Sequence, residues 1–116
     1  MIFNPTPLAG AWTIELEPHR DERGFFARAF CADEFAERGL RAFYPQCNIS
    51  QNKQGGTVRG MHFQIKPHEE TKVVRCTRGA IQDVIVDIRP SSPTFGKHFG
   101  LELSAANYKM LYVPEG

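Results

Sequence analysis

With 116 residues the chain has room for one small domain and not for two. Its 14 Lys and Arg against 13 Asp and Glu leave a formal charge of +1, without the basic excess that a dedicated nucleic-acid or anionic-membrane surface needs. No apolar run is long enough to cross a bilayer, and MIFNPTPLAGAWTIELEP lacks the basic start of a secretory signal. Cys31, Cys47 and Cys76, odd in number and widely spaced, read as reduced cytoplasmic thiols rather than a disulfide framework.

Period-two alternation broken by Gly, Pro, Ser and Asn predicts the first strands at 12–16 and 25–30. Between them, Asp21, Glu22, Arg23 and Gly24 read as a turn feeding an aromatic strand, and at least two of Phe25, Phe26 and Phe30 are expected in the core. One helix follows in CADEFAERGL, with Asp33 and Glu34 in its first turn and Gly39 past its end as a left-handed stop. Further strands are predicted at 43–52, 57–64, 71–77, 80–88, 98–104 and 109–113, with turns in RPSSPTFGK and SAANYK. In AIQDVIVDIR, Val84, Val86 and Ile88 form an apolar row expected as core, while Asp83 and Asp87 alternate with Ile81 and Ile85 on a mixed face. Many short strands with one small helix predict an all-β sandwich or barrel. A mixed interior face suits a barrel around a polar ligand, and a half-solvated sheet explains it equally well.

TVRGMHFQIKPHEETKVVRC places a base candidate, His62, and two cations, Arg59 and Lys72, inside strand-like runs. Each has a plain structural explanation: a hydrogen-bonded core histidine, a strand-end lysine in water, an exposed arginine. Their company points to chemistry. Gln46, Asn48 and Ser50 share parity on QCNISQN and give one face three hydrogen-bonding groups. Arg59 has the opposite parity to His62, and Gly60 between them permits a bulge that aims both inward. Arg23, at its turn, presents a guanidinium suited to bidentate phosphate binding. A metal is not expected, because Gln64 near His62 is a poor transition-metal ligand and KPHEET, with His68, reads as a surface turn. No Gly-x-Ser-x-Gly elbow and no phosphate loop is present.

DERGFFARAF, QCNISQN, VRGMHFQ, TKVVRCTRGAIQDVIVDIRPSSPTFGK and LYVPEG, in this order, resemble the dTDP-4-dehydrorhamnose 3,5-epimerase family from about Phe3 to the last residue. The resemblance implies a jelly-roll barrel of the cupin superfamily, without cofactor or metal, working as a homodimer on a dTDP-4-keto-6-deoxy sugar. It implies epimerisation at C3 and C5 in dTDP-L-rhamnose biosynthesis, with no nucleic-acid or membrane partner. His62 matches the proton acceptor and Lys72 the lysine near the keto oxygen. Gln46, Asn48 and Arg59 match substrate-binding positions, and Arg23 an arginine that contacts the nucleotide. Arg28 stands where the family commonly has an acid.

Family members continue after VPEG into Phe-Ala-His-Gly-Phe and a tyrosine thought to donate the proton. The single domain 1–116 is therefore expected to lack the family's C-terminal portion, and none of Tyr44, Tyr108 and Tyr112 occupies that motif. Asp83 is a local candidate for orienting His62. Competing readings are a single-centre epimerase or 3,4-ketoisomerase of the same superfamily, a non-catalytic nucleotide-sugar binder, and a metal cupin. The epimerase expectation asks for His62 in a β-walled pocket with Lys72 close by.

Overall fold

A computed structural model describes all of residues 1–116. In chain order the elements are β1 (Ile2–Pro5), β2 (Trp12–Glu15), β3 (His19–Asp21), β4 (Gly24–Phe26), α1 (Ala32–Ala36), β5 (Lys72–Arg75), β6 (Ala80–Val86), β7 (His98–Ser104) and β8 (Met110–Val113). Every pairing is antiparallel. One sheet runs β1-β2-β8-β5, and β3–β4 and β6–β7 form separate hairpins. The chain is thus nearly all-β with one short helix, and its sheets do not close into a barrel.

The register divides the large sheet into two faces. Ile14 pairs with Met110, Trp12 with Tyr112, and Val73 with Tyr112, so these side chains share one face. α1 covers it, placing fully buried Phe35 against Ile14, Met110 and Tyr112. The Phe35 ring meets Phe3 edge-on at 5.3 Å and Tyr112 at 6.2 Å, a geometry that aromatic quadrupoles favour. The helix is only five residues long and Cys31 offers no side-chain cap, so packing through Phe35 holds it rather than propensity. Gly39, at φ +67°, ends the segment as expected.

Leu111, fully buried, lies on the opposite face with Val113, Lys72 and Val74. Leu103, on the inward row of β7, is fully buried too, and the β6–β7 hairpin is tied to the large sheet at both its ends. At one end, loops 76–79 and 105–109 join β5 to β6 and β7 to β8. At the other, the Arg89 Nη2 donates to the Ala9 carbonyl at 2.6 Å, the Thr94 hydroxyl accepts from the Ala9 N–H at 3.0 Å, and the Ile88 N–H donates to the Gly116 carbonyl at 3.1 Å. Asp87 organises this clamp. Buried at 3% exposure, it accepts from the Arg89 Nε and Nη2 and from the hydroxyls of Ser92 and Thr94. The Arg89 guanidinium, then the two hydroxyls, hold its carboxyl well below the usual carboxylate range against the opposing cost of burial.

The expected strands at 71–77, 80–88, 98–104 and 109–113 form, all but the third with shorter bounds, and the turn at 22–23 joins β3 to β4. The strands at 43–52 and 57–64 do not. Those residues run without a ladder, and Phe43, Ile49, Val58, Met61, Phe63 and Ile65 are exposed. A strand exists only by pairing, and no neighbouring strand lies beside this segment within the chain. β1 and β3 form without the apolar alternation of the other strands: β1 carries Asn4 and Pro5, and β3 is the polar run His19–Asp21.

The core expectation for Phe25, Phe26 and Phe30 also fails, since all three are exposed. Phe25 leans on Tyr108 at 4.9 Å and Phe30 on Phe35 at 5.0 Å, so they pad the margins of the core. In β6 the faces are reversed relative to the expected core. The apolar row Val84, Val86 and Ile88 looks outward, and Ile81, Asp83, Ile85 and Asp87 look inward. Closing the clamp requires Asp87 inside, and strand parity turns the apolar row out with it.

Candidate functional site

His62, Arg59, Asn48 and Gln46 all lie on the unladdered segment, exposed to solvent. The strand face expected to align Gln46, Asn48 and Ser50 is therefore absent. The β-walled pocket expected around His62 is likewise not formed by these residues: side chains on an unpaired segment have no sheet to set their direction. Gly60 does adopt the special conformation the parity argument asked for, at φ +107°, where an added Cβ would lie 3.4 Å from the His62 backbone nitrogen. Arg59 turns away from His62 onto its own segment, donating through Nε to the Asn52 Oδ1 at 2.6 Å and through Nη2 to the Gln51 carbonyl at 3.3 Å.

Lys72 is better placed. It opens β5, opposite Val113, on the face of the large sheet that looks toward the β6–β7 hairpin. Its Nζ rests 2.9 Å from the Glu70 Oε1, with both side chains partly in water. Arg23, at the β3–β4 turn, is bidentate to the Asp21 Oδ2 through Nε at 3.2 Å and Nη2 at 2.6 Å. That pairing, with the Arg23 N–H on the Asp21 Oδ1, lowers the Asp21 pKa and fixes the guanidinium at the tip of the hairpin. Arg28 reaches Glu34 at 3.2 Å, so its charge is matched locally. The six predicted residues are thus divided among three places, and no hydrogen bond or ion pair joins any two of them.

Asp83 does not orient His62 by any contact. It faces inward from β6, and its Oδ2 is buried without a hydrogen-bond partner. Its mark in the sequence is an acid set between Ile81 and Ile85, on the row that faces inward. None of the tyrosines serves the Lys72 face. Tyr112 packs under α1 with its hydroxyl accepting from the Arg41 N–H, and Tyr108 stacks on Phe25. Tyr44 donates to the Arg41 carbonyl, and burial pushes its pKa up to about 12.

Two of the surface hollows are described by their linings. One of about 450 Å³, broadly open, lies along Gly39–Arg41, Thr71, Tyr112, Pro114 and Glu115. The other, about 180 Å³, lies among Leu16, Arg75, Cys76, Tyr108 and Met110. Neither contains any of the six predicted residues, and both are bordered by α1-side or loop residues. No three His, Cys, Asp or Glu side chains are grouped to hold a metal ion.

Comparison with known proteins supplies what the geometry leaves apart. Residues 5–116 match the family model of dTDP-4-dehydrorhamnose 3,5-epimerase. A dTDP-4-dehydrorhamnose 3,5-epimerase of Sinorhizobium fredii is 42% identical over 116 residues, spanning 100% of this chain and 60% of its own length. The crystal structure of the Elizabethkingia anophelis enzyme of the same name superposes with a TM-score of 0.95 at 42% identity, covering 100% of this chain and 63% of that one. The Bacillus anthracis enzyme, solved with TDP and PPi bound, gives a TM-score of 0.94 at 38% identity over 99% of this chain and 66% of that one. The chain spans 53% to 63% of the length of the curated relatives it matches.

Proposed function

The chain belongs to the dTDP-4-dehydrorhamnose 3,5-epimerase family, and on that premise we propose that it carries the proton-abstracting half of an isomerase acting on a dTDP-4-keto-6-deoxy sugar. The observation that carries the reading is the match over residues 5–116, which includes His62 and Lys72. The product class is the C3- and C5-inverted sugar used to make dTDP-L-rhamnose, and the setting is the cytoplasm.

The chemistry follows from the ketone. A carbonyl at C4 acidifies the hydrogens on C3 and C5, because the electrons left behind move onto oxygen as an enolate. A neutral imidazole, with an ordinary pKa of about 6.5, both takes and releases a proton near pH 7, which suits His62 as the base. The growing charge on oxygen needs a cation already in place, and the Lys72 ammonium is the candidate. Gln46, Asn48 and Arg59 hold the sugar and diphosphate, and Arg23 the nucleotide. The TDP bound by the Bacillus anthracis relative supports a thymidine diphosphate for this site. Inversion needs a donor on the opposite face of the ring, and Tyr44, Tyr108 and Tyr112 are all engaged elsewhere.

The site is assembled when the 43–65 segment gains a partner. Six exposed apolar side chains on that segment, and the open edges of β1 and β5, favour a second copy of the chain, giving a homodimer. Sedimentation equilibrium tests this, with a dimer expected; a monomer at all concentrations contradicts it.

The activity is tested by incubating the chain with dTDP-4-keto-6-deoxyglucose in heavy water and reading C3 and C5 by NMR. Deuterium at both carbons, lost in His62→Asn, is the expected result. A carbonyl that migrates to C3 reassigns the chain as a ketoisomerase, and absence of any exchange overturns the proposal.

A further inference from the structure

Asp83 is a charge without an evident use. It stands in β6 between Ile81 and Ile85 and pairs across the hairpin with Leu101, flanked on the same face by Phe99 and Leu103. Its Oδ2 is buried and has no partner. Burial raises its pKa, with a backbone hydrogen bond from Val84 only partly opposing. An unpaired carboxylate on an apolar face is costly, and valine there would pack more favourably. Its presence calls for a cation that arrives from across the gap.

The register says which cation that is. The hairpin's inner face covers the face of the large sheet that carries Leu111, Val113, Val74 and Lys72. β5 and β6 meet at the loop 76–79. Lys72 lies three residues before the end of β5 and Asp83 three residues after the start of β6. At about 3.3 Å per residue both stand about 10 Å from that corner, on layers about 10 Å apart. A lysine stem and a carboxylate together span such a gap. Arg75, the other cation of β5, points to the opposite face, toward α1.

We propose that Asp83 is a positioning residue for Lys72, its carboxylate receiving the ammonium between the two sheets in exchange for Glu70 and fixing it where the enolate oxygen forms. The catalytic consequence rests on the reaction proposed above; the pairing of the two side chains does not. Glu70 is a weak competitor, because its contact with Lys72 is partly in water, where ion pairs are screened.

The test is an NMR titration of the Lys72 side chain in the wild-type chain and in Asp83→Asn, Asp83→Glu and Glu70→Gln. Asp83→Asn is expected to lower the Lys72 pKa more than Glu70→Gln does, and Asp83→Glu to restore it. No shift in Asp83→Asn, or a larger one in Glu70→Gln, overturns the pairing, whatever the enzyme activity. Melting temperature is the control for folding, expected to change little in Asp83→Asn, which keeps the size and shape of the side chain. In the exchange assay, Asp83→Asn is expected to lower kcat by on the order of 100-fold with little change in KM, as for a misplaced catalytic group. An unchanged kcat overturns the positioning role. A wild-type chain without exchange sinks the reaction and leaves the titration to decide the pair.

Discussion

The clamp at 87–97 and the segment at 43–65 are treated in opposite ways by the same chain. In the clamp every polar group of Asp87, Ser92 and Thr94 meets a partner, and Arg89 ties the loop to Ala9. In the segment, backbone pairing is absent and six large apolar side chains face water. The difference shows where local sequence is enough. The clamp closes between Asp87 and Thr94 of one loop and takes from elsewhere only the Ala9 backbone and the Gly116 carbonyl. The segment alternates as a strand should, yet a strand without a neighbour makes none of its ladder hydrogen bonds. Four of the proposed functional residues lie on the open segment, so this chain holds its scaffold more firmly than its chemistry.

Four substitutions tell the two regions apart. The largest effect is expected at His62, where His62→Asn lowers solvent exchange at C3 and C5 by about 10³-fold, the usual worth of a general base, while the melting temperature stays put. Next, Asp87→Ala leaves Arg89 and two hydroxyls facing an emptied site and costs about 3 kcal/mol. For a domain of this size that lowers Tm by on the order of 15 °C in a calorimetric scan. Leu111→Ala, fully buried on the sheet face under the hairpin, costs about 2–5 kcal/mol in denaturant titration. At the other extreme, Ile49→Ser in the open segment changes monomer stability by no more than about 0.5 kcal/mol.

Acid titration separates the two buried carboxyls by sign. The folded state holds the Asp87 pKa below its unfolded value of about 3.9. Its contribution is therefore fully present above that pH and is lost as the pH falls toward the folded value. Asp83 runs the other way: its pKa is raised, so protonation relieves a penalty and acid helps. Stability measured by denaturant midpoint is expected to drop below about pH 4 in the wild type and to drop less steeply in Asp87→Asn.

Much of the scaffold was legible in the letters. β6, β7 and β8 announce themselves by alternation, and Gly39 by its place after an amphipathic turn. Two things were not. Which face of β6 turns inward is decided by the Asp87 clamp, a contact between Arg89 and Ala9 that no periodicity encodes. Whether 43–52 and 57–64 become strands depends on a partner, and alternation says only that one would fit. The site residues were found by likeness to a family, since by spacing alone His62 and Lys72 are a histidine and a lysine ten positions apart. Asp83 had a readable signal, an acid set between isoleucines, and its partner emerged only from the register.

Amide hydrogen exchange of the chain, kept dilute enough to remain monomeric, is the sharpest test of the contrast. Amides of 45–64, which carry Gln46, Asn48, Arg59 and His62, are expected to exchange almost as fast as in an unfolded peptide, while those of β6 and β7 exchange only on global opening. Protection across 57–64 equal to that of β6 contradicts the account, because it requires the strands that the chain here leaves unmade.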